Sequence, residues 1–367
     1  MRDFDWHLPT KIVFGKGRIG ELGERIDPGH RRVFIVTDKT VAERTEALGR
    51  TMKAIGDRET AVFDGVEENP AFETIEAGSR QARDFGADLV VGLGGGSPMD
   101  AAKGIALKAR NRGPLGRYLR GEPLADDPLP IVCIPTTAGT GSEVTPYAVF
   151  TDLAGRTKAG YSHPKLFPEI ALIDPELTYS MPASVAINTG LDVLTHAAEA
   201  YLSTMSFPLN DTLALHALET ARARLPGAAR KNPDDMDHLA FAAMQAGVAI
   251  ANASTILPHI AGYPLTLFHG VPHGRASAIM LAAVLAYLRE RSSAPEKVAI
   301  LDKIFGRQGG LEAYLGGLGV STKLSDYGVR EEEIPLYVEK TMVKGDVKIT
   351  PAEITAETLE AIYRAAL

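Results

Sequence analysis

The sequence predicts an α/β domain built on a parallel sheet, followed by an all-helical domain. In the first half of the chain, short β-rich segments alternate with helical segments of about 10–15 residues, which is typical of βαβ units on a parallel sheet. After about residue 183, β-branched segments become rare and alanine-rich helical segments dominate. We therefore place an α/β domain at residues 1–183 and an all-helical domain at residues 184–367.

The individual elements follow from the same patterns. Strands are predicted at 33–37, 60–63, 87–93 and 129–134, and helices of the first half at about 70–85 and 98–109. In the second half, helices are predicted at 188–201, 208–225, 236–256, 276–291, 326–343 and 355–366. Gly86 is expected to end the helix that precedes the third strand.

Composition excludes several classes of protein. The 367 residues are 45% hydrophobic and 23% charged, as in ordinary globular proteins. A net charge of −7 argues against nucleic acid or anionic lipid as a partner. Cys133 is the only cysteine, so no intrachain disulfide is expected. Since we find neither a secretory signal nor a membrane-spanning apolar segment, we expect a cytoplasmic protein.

A glycine-rich turn follows the third predicted strand. Residues 94–97 are Gly-Gly-Gly-Ser, and the next segment is helical. Glycines let the backbone approach a bulky anion, and the free N–H groups of a helix start favour negative charge. Ser97 is expected to cap the helix, with Pro98 at its first position and Asp100 completing a capping box. A pyrophosphate would fit this turn, and a tight turn without a ligand is the alternative.

Two further features are expected at the same edge of the sheet. The loop 135–143, rich in hydroxyl residues and containing Thr136 and Thr137, follows the next strand. Loops at the ends of neighbouring parallel strands face one crevice, where open α/β sheets bind ligands. Asp38 ends the first predicted strand, where a carboxylate accepts hydrogen bonds from ribose hydroxyls and repels a 2′-phosphate. A surface aspartate or a helix cap is the alternative for Asp38.

Carboxylate and imidazole groups are concentrated in the second half. Asp192 and His196 are four residues apart, which places them on one face of a helix. His259, His269 and His273 lie in a segment without charged residues. One carboxylate with up to three imidazoles suits Fe²⁺ or Zn²⁺ and is a poor site for Mg²⁺ or Ca²⁺. An ion pair and hydrogen-bonded core histidines are the alternatives.

Four motifs occur in an order that resembles the iron-containing (group III) alcohol dehydrogenases. They are Gly-Gly-Gly-Ser-x-x-Asp-x-x-Lys at 94–103, Pro-Thr-Thr-x-Gly-Thr-Gly-Ser-Glu-Val-Thr at 135–145, Asp-x-x-x-His at 192–196, and His259 with Pro-His-Gly at 272–274. The resemblance extends from about residue 9 almost to the C-terminus. Segments such as Glu-Glu-Asn-Pro at 67–70 are most similar to the 1,3-propanediol/butanol dehydrogenase type. The resemblance implies that the first domain has a Rossmann-like, dehydroquinate-synthase-like fold.

The resemblance also implies site residues. The expected NAD(P) contacts are Asp38, Gly94, Gly95, Gly96, Ser97, Asp100, Thr136, Thr137, Lys158 and Leu177. The expected metal ligands are Asp192, His196, His259 and His273, through which catalysis would run. Many members carry a further histidine where this chain has Tyr263. A proton relay would then fall to His269 or Tyr263, for both of which packing is the alternative.

Together these observations predict a metal-dependent alcohol dehydrogenase. We expect hydride transfer between a small primary alcohol or diol, or its aldehyde, and NAD rather than NADP, with Fe²⁺ or Zn²⁺ as the Lewis acid in a cleft between the domains. The resemblance implies a homodimer or a higher homo-oligomer. The alternatives are a glycerol-dehydrogenase-like polyol dehydrogenase, a dehydroquinate-synthase-like cyclase, and an NAD- and metal-binding regulator without turnover. The cyclase would need several lysine or arginine residues around a sugar phosphate, and residues 257–274 contain neither.

Overall fold

The structure is a computed structural model that describes residues 3–155, 157–306 and 310–367. It divides into two compact units. The α/β unit comprises Leu8–Pro182 and Lys231–Met244, and the helical unit comprises a short segment ending at His7, Ala183–Arg230 and Gln245–Leu367. The predicted fold class, a parallel α/β domain followed by a helical part, is confirmed.

The α/β unit is built on a parallel sheet. Its strands are β1 (Lys11–Phe14), β2 (Arg32–Val36), β3 (Glu59–Phe63), β4 (Leu89–Gly94), β5 (Ile131–Pro135), β6 (Tyr147–Asp152), β7 (Thr157–Ser162) and β8 (Ile170–Ile173). Within the described residues, six strands pair in the order β1-β8-β5-β4-β2-β3, all parallel, and β6 and β7 form an antiparallel hairpin. Every residue of β4 and β5 is buried, as expected of central strands covered on both faces.

Helices cover both faces of this sheet. They are α1 (Leu22–Arg25), α2 (Lys39–Arg44), α3 (Ala47–Ile55), α4 (Phe72–Phe85), α5 (Gly96–Arg110) and α6 (Leu115–Leu119). Successive residues of a strand point to opposite faces, so Phe34 of β2 packs with Ile105 of α5, whereas Ile35 packs with Ile55 of α3. Gly86 ends α4 in the left-handed conformation, with φ 73°, as predicted.

The second half is helical. Its helices are α7 (Ala183–Leu202), α8 (Pro208–Ala229), α9 (Pro233–Ala253), α10 (Leu257–His269), α11 (His273–Arg291), α12 (Pro295–Gly306), α13 (Leu311–Gly317), α14 (Ile334–Met342) and α15 (Ala356–Ala365). Short 3₁₀ helices occur at Arg18–Glu21, Ser142–Val144, Pro164–Leu166, Pro175–Thr178, Leu324–Tyr327, Glu331–Glu333 and Gly345–Ile349. No single helix of the described residues is long and apolar enough to cross a membrane; α9 and α10 reach that length and composition only as a pair, across a bend of 111°.

The compact units differ from the predicted ranges, 1–183 and 184–367, at the N-terminal segment ending at His7 and most of all in the segment Lys231–Met244. This first part of α9 belongs to the α/β unit because its polar side chains are engaged there. Asp237 forms an ion pair with Lys16 at 2.6 Å and accepts a hydrogen bond from the Tyr179 hydroxyl at 2.6 Å. A long amphipathic helix in sequence does not reveal which unit each of its turns contacts.

Helix α10 is not among the predicted helices, and one predicted helix is broken. Residues 257–269 form α10, which the sequence did not indicate because Pro258 and Pro264 interrupt the pattern; Pro258 lies in the first turn, where its missing N–H costs nothing. The single helix predicted at 326–343 is broken. Gly328, with φ 81°, ends a 3₁₀ turn, and α14 begins only at Ile334.

Candidate active site

Two residues of the predicted metal site lie on one face of α7. Asp192 and His196 are four residues apart, and both side chains are almost fully buried. His273 begins α11, and the next residue, Gly274, lets α11 approach α7 closely. A Cβ atom on Gly274 would lie 2.2 Å from the carbonyl oxygen of Asn188 and 2.7 Å from Cβ of Asp192. The missing side chain therefore brings α11 close enough for His273 to approach Asp192.

The four predicted ligands converge around one carboxylate oxygen. Asp192 Oδ1 lies 3.8 Å from Nε2 of His196 and 3.9 Å from Nε2 of His259. Nε2 of His273 is 4.0 Å from the same oxygen and 2.8 Å from Nε2 of His259. The His273 side chain is 28% exposed, against 6% or less for the other three, so the cluster is open to solvent on its His273 side.

The donor set fits a divalent transition metal. Asp192 Oδ1 is buried and accepts no hydrogen bond from the part of the chain that the structure describes. Its distances to the imidazole nitrogens are too long for direct hydrogen bonds. Donor atoms bonded at about 2.0–2.2 Å to one ion lie about 3–4 Å apart, which is close to the spacing here. One carboxylate oxygen and three imidazole nitrogens suit Fe²⁺ and Zn²⁺ alike.

Glu199, which no sequence motif singled out, contacts one of these histidines. Its side chain is fully buried, and its Oε1 lies 3.2 Å from Nδ1 of His259. Its Oε2 accepts the backbone N–H of Ile256 at 2.6 Å and that of His259 at 3.3 Å. Burial raises the pKa of Glu199, and the charge of His259 and the hydrogen bonds from its ring and from the backbone N–H groups of Ile256 and His259 act in the opposite direction and favour the ionised form. The available signal is spacing, because Glu199 follows His196 by three residues on the same helix face.

His269 does not join the cluster. Its Nε2 contacts the hydroxyl of Tyr337 and lies 3.6 Å from Oε1 of Glu333. Ten residues of helix, about 15 Å along the axis, separate it from His259. Its ring joins the end of α10 to α14, which agrees with the packing role given as the alternative for His269. Tyr263 lies nearer, with its ring centroid 6.4 Å from that of His259.

Most of the predicted cofactor residues gather at the carboxyl edge of the sheet. β2, β4 and β5 are neighbours, and they end side by side. Asp38 follows β2, the Gly94–Ser97 turn follows β4, and Thr136 and Thr137 follow β5. A Cβ atom on Gly95 would lie 3.3 Å from Oγ1 of Thr137, so the glycine lets the two loops approach. The predicted crevice edge is therefore assembled from three adjacent strand ends.

Asp38 is a helix cap, the alternative considered for it. Its Oδ1 accepts the backbone N–H of Val41 at 2.9 Å, which satisfies one of the unpaired donors at the start of α2. Its Oδ2 faces the glycine turn, since a Cβ atom on Gly94 would lie 3.5 Å from it. The two oxygens thus have different environments.

The predicted capping box at the start of α5 is wrong. The helix begins at Gly96, and its N-cap residue, Gly95, has no side chain that could cap it. Asp100, expected at the cofactor, uses both carboxylate oxygens inside the protein. Oδ1 accepts from Oγ of Ser142 at 2.6 Å, and Oδ2 accepts the N–H of Val149 at 2.9 Å. Asp100 therefore fastens the second loop and β6 to α5.

Lys103 completes this network. It is fully buried, and its Nζ donates to the carbonyl oxygen of Ser142 at 2.7 Å, to Oγ of Ser142 at 2.7 Å and to the carbonyl oxygen of Tyr147 at 2.6 Å. These three bonds use all three N–H groups of the ammonium. The network joins the helix after the glycine turn to the loop that carries Thr136 and Thr137. Lys103 is the last residue of the motif at 94–103, but the motif did not indicate this role.

Asn69 links two other predicted cofactor residues. Its φ is 58°, a conformation that residues other than glycine rarely adopt. Its N–H donates to Oγ of Ser97 at 3.1 Å, and its Oδ1 accepts from Nζ of Lys158 at 2.7 Å. Such strained residues persist where the surroundings fix them, which is common near functional sites. Asn69 thereby holds Ser97 and Lys158 beside each other.

Two buried residues complete the α/β unit's site region. Leu177, expected to contact the cofactor, is only 4% exposed and packs in the core with Ile35 and Leu172. Glu143, at the end of the second loop, is only 3% exposed. Burial raises the pKa of the Glu143 carboxyl from 4.5 to about 7. Leu177 thus packs in the core, and Glu143 is a buried titratable group whose raised pKa the motif at 135–145 did not indicate.

Two family profiles cover almost the whole chain. The profile described as "Iron-containing alcohol dehydrogenase" matches residues 9–175, and the one described as "Fe-containing alcohol dehydrogenase family, C-terminal" matches residues 186–367. The chain belongs to the iron-containing alcohol dehydrogenase family. The resemblance predicted from its motifs is confirmed, and the chain is a metal-dependent alcohol dehydrogenase.

This alcohol dehydrogenase is similar to characterised proteins along its whole length. It is 32% identical over 385 residues to a 1,3-propanediol dehydrogenase of Klebsiella pneumoniae, covering 100% of this chain and 99% of the relative. The solved iron-containing alcohol dehydrogenase of Thermotoga maritima is 38% identical, with a TM-score of 0.90 and coverage of 100% and 99%. Sulfoacetaldehyde reductase from Bifidobacterium kashiwanohense, solved in complex with NAD⁺, is 29% identical, with a TM-score of 0.90 and coverage of 100% and 99%.

Proposed function

We propose that this alcohol dehydrogenase interconverts a small primary alcohol or diol and its aldehyde, with NAD as the hydride carrier. The observation that carries the proposal is the convergence of one carboxylate and three imidazoles in the helical unit. Similarity to a 1,3-propanediol dehydrogenase supports a short hydroxylated substrate. Similarity to a reductase solved with NAD⁺ supports the dinucleotide.

The residues that would hold the metal are Asp192, His196, His259 and His273. A bound Fe²⁺ or Zn²⁺ supplies Lewis acidity that favours the deprotonated alcohol or polarises the carbonyl. We propose Fe²⁺ as the resident ion, in keeping with the family, and Zn²⁺ as an ion that the same donors accept. Buried apolar residues before and after His259 exclude water from the closed side of the cluster, and the exposed edge of His273 gives access.

The residues that would hold NAD lie at the carboxyl edge of the sheet. The N-cap residue of α5, Gly95, has no side chain that could accept the first N–H groups of the helix. These N–H groups favour a pyrophosphate. Asp38 uses one oxygen to cap α2 and presents the other beside Gly94, where it would accept a ribose hydroxyl. Lys158, held by Asn69, would add positive charge near the phosphates or the nicotinamide.

The test is a combined metal and turnover assay. The protein is purified without added metal, its metal content is determined by elemental analysis, and NADH formation is followed with a panel of short alcohols and diols. We expect about one divalent ion per chain and turnover that a chelator abolishes and Fe²⁺ restores. Metal binding with no turnover on any alcohol or aldehyde would support a regulator instead, and undiminished turnover in the metal-free protein would overturn the proposal.

We further propose a cytoplasmic homo-oligomer that has no membrane or nucleic-acid partner. The acidic composition and the single, buried cysteine are in keeping with this. Light scattering coupled to size exclusion would show a mass above that of one 39.2 kDa chain, and a monomer would contradict the proposal.

A further inference from the structure

A single buried carboxylate contacts both the ring and the backbone of one proposed metal ligand. Glu199 Oε1 lies 3.2 Å from Nδ1 of His259, the ring nitrogen that points away from Asp192. Glu199 Oε2 accepts the backbone N–H of His259. Asp192, His196 and Glu199 occupy positions i, i+4 and i+7 of α7, so one stripe of this helix supplies two proposed ligands and the carboxylate that contacts a third.

The hydrogen bonds at the start of α10 show why Glu199 is needed there. Ile256, the N-cap residue, has no side chain that can cap the helix. Pro258 has no N–H, and the N–H of Leu257 donates to Oγ1 of Thr350 at 3.2 Å. The N–H groups of Ile256 and His259 are both accepted by Glu199. A carboxylate on α7 therefore replaces the missing cap of α10.

We propose that Glu199 is a positioning residue for the metal centre, resting on the metal-dependent function proposed above. An ionised carboxylate only accepts hydrogen bonds, so the His259 nitrogen that faces it must carry the proton. Nε2, which lies near Asp192 Oδ1 and Nε2 of His273, then keeps its lone pair for the ion. The carboxylate also fixes where His259 enters the site, because it holds the first turn of the helix. Outer carboxylates of this kind orient ligating histidines and raise their basicity.

Glutamine at this position cannot perform both tasks. Its amide has one oxygen and one NH₂ group, whereas Glu199 meets three donors with two accepting oxygens. If the amide oxygen faces the backbone N–H groups, the NH₂ faces Nδ1 of His259 and moves the proton to Nε2, where the metal must bind. If the amide is turned round, the NH₂ confronts the two backbone donors. E199Q is therefore a near-isosteric variant that opposes metal binding.

The experiment measures metal affinity without reference to turnover. Apoprotein is titrated with Zn²⁺ in competition with a chromogenic chelator, and the Co²⁺-substituted protein is examined by absorption spectroscopy. We expect E199Q to raise the Kd for Zn²⁺ about 10- to 100-fold and to change the Co²⁺ ligand-field bands. D211N, which removes a charge paired with Lys297 in the same helical unit, is the matched control and should leave the Kd unchanged.

A double-mutant cycle separates positioning from general stability. If Glu199 acts through His259, E199Q has no further effect on Zn²⁺ affinity in an H259A background. Equal losses in both backgrounds, or an unchanged Kd in E199Q alone, would overturn the inference while leaving the proposed function intact. If E199Q fails to fold, E199D keeps the charge but is one methylene shorter, and the same comparison applies. Failure of the unmodified protein to bind Zn²⁺ or Fe²⁺ would overturn the inference and the proposed function together.

Discussion

Two carboxylates of this enzyme each have two structural roles. Asp38 caps α2 with one oxygen and presents the other beside the glycine turn, and Glu199 caps α10 while contacting a proposed ligand. The sequence pattern placed Asp38 at the end of a strand. It could not show that one carboxylate oxygen accepts the N–H of Val41 while the other lies beside Gly94. The roles of the two oxygens depend on their distances to Val41 and Gly94, which only the folded chain defines.

Cofactor choice is expected to depend on Asp38. A carboxylate near a 2′-phosphate meets repulsion on the order of a few kcal/mol at an effective dielectric near 20. The unmodified enzyme should prefer NAD over NADP by about 10- to 100-fold in kcat/KM. D38G removes the charge, and a glycine cap costs α2 only a few tenths of a kcal/mol. The two cofactors should then be used about equally; a preference for NADP in the unmodified enzyme would show that Asp38 does not face the ribose.

The buried carboxyl of Glu143 predicts a pH-dependent stability. Its pKa is raised from 4.5 to about 7 by burial, so the folded state binds the proton more tightly than the unfolded state does. This contribution is complete below pH 4.5 and is lost as pH rises through about 7. Between about pH 5 and pH 8, the free energy of unfolding should fall by about 2–3 kcal/mol through this group. E143Q, which stays neutral, should remove that slope in chemical unfolding at both pH values; an unchanged slope would contradict the assignment.

At the scale of elements, close contacts between helices and loops build the two sites. The Asp100–Ser142–Lys103 network ties α5 to the second loop of the α/β unit, and the Gly274 contact brings α11 against α7 in the helical unit. Each contact is made by residues far apart in the chain. One small substitution at either contact is therefore expected to displace a whole element.

Loss of the Ser142 hydroxyl should loosen the second loop. S142A removes one acceptor from the buried ammonium of Lys103 and one donor from Asp100, at a cost of about 1–3 kcal/mol. We expect a lower melting temperature and weaker NAD binding in calorimetry. T212A removes an exposed hydroxyl that donates to the backbone carbonyl of Pro208 in its own helix, and it serves as the control. Equal melting temperatures for S142A and T212A would argue against a role for the network.

A methyl group at residue 274 should separate α7 from α11. In G274A the added Cβ would meet the carbonyl oxygen of Asn188 and the backbone of Asp192 at less than 3 Å, so one of the helices must shift. Because two of the proposed ligands lie at this contact, we expect markedly weaker Zn²⁺ binding. G316A is the matched control, since a Cβ there meets no atom of the described residues within 4 Å. Equal Zn²⁺ affinities for the two variants would contradict the proposed ligand geometry.

At the scale of the whole molecule, the two sets of site residues belong to different compact units. The proposed cofactor residues lie in the α/β unit and the proposed ligands in the helical unit. H196A should therefore lose the metal and turnover, while NAD binding measured by calorimetry stays close to that of the unmodified enzyme. H269A should keep its metal, since His269 contacts Tyr337 instead. Full metal content in H196A, or metal loss in H269A, would show that the ligand set is misassigned.

Much of this organisation could be predicted from the sequence, because local patterns encode it. Alternating apolar strands and helices predicted the central strands, and four spaced motifs predicted the family and the residues that converge. Two short strands were not predicted: β1, at the edge of the sheet, and β8, between β1 and β5, have four residues each and are stabilised by pairing with strands that are distant in the chain. Asp100 was expected in a capping box because it follows Ser97 by three residues, and at the cofactor because of the family resemblance. Its actual contacts, Ser142 and Val149, are more than 40 residues away in the chain.

The single stripe on α7 constrains how the length of this chain can change. An α-helix turns by about 100° per residue, so one residue inserted between His196 and Glu199 would swing Glu199 off the face that carries Asp192 and His196. An insertion between Asp192 and His196 would separate the two proposed ligands in the same way. Insertions in the connection between α8 and α9 would move no member of the stripe. Natural or engineered variants of this enzyme should therefore differ in length at such connections and keep the eight residues 192–199 uninterrupted.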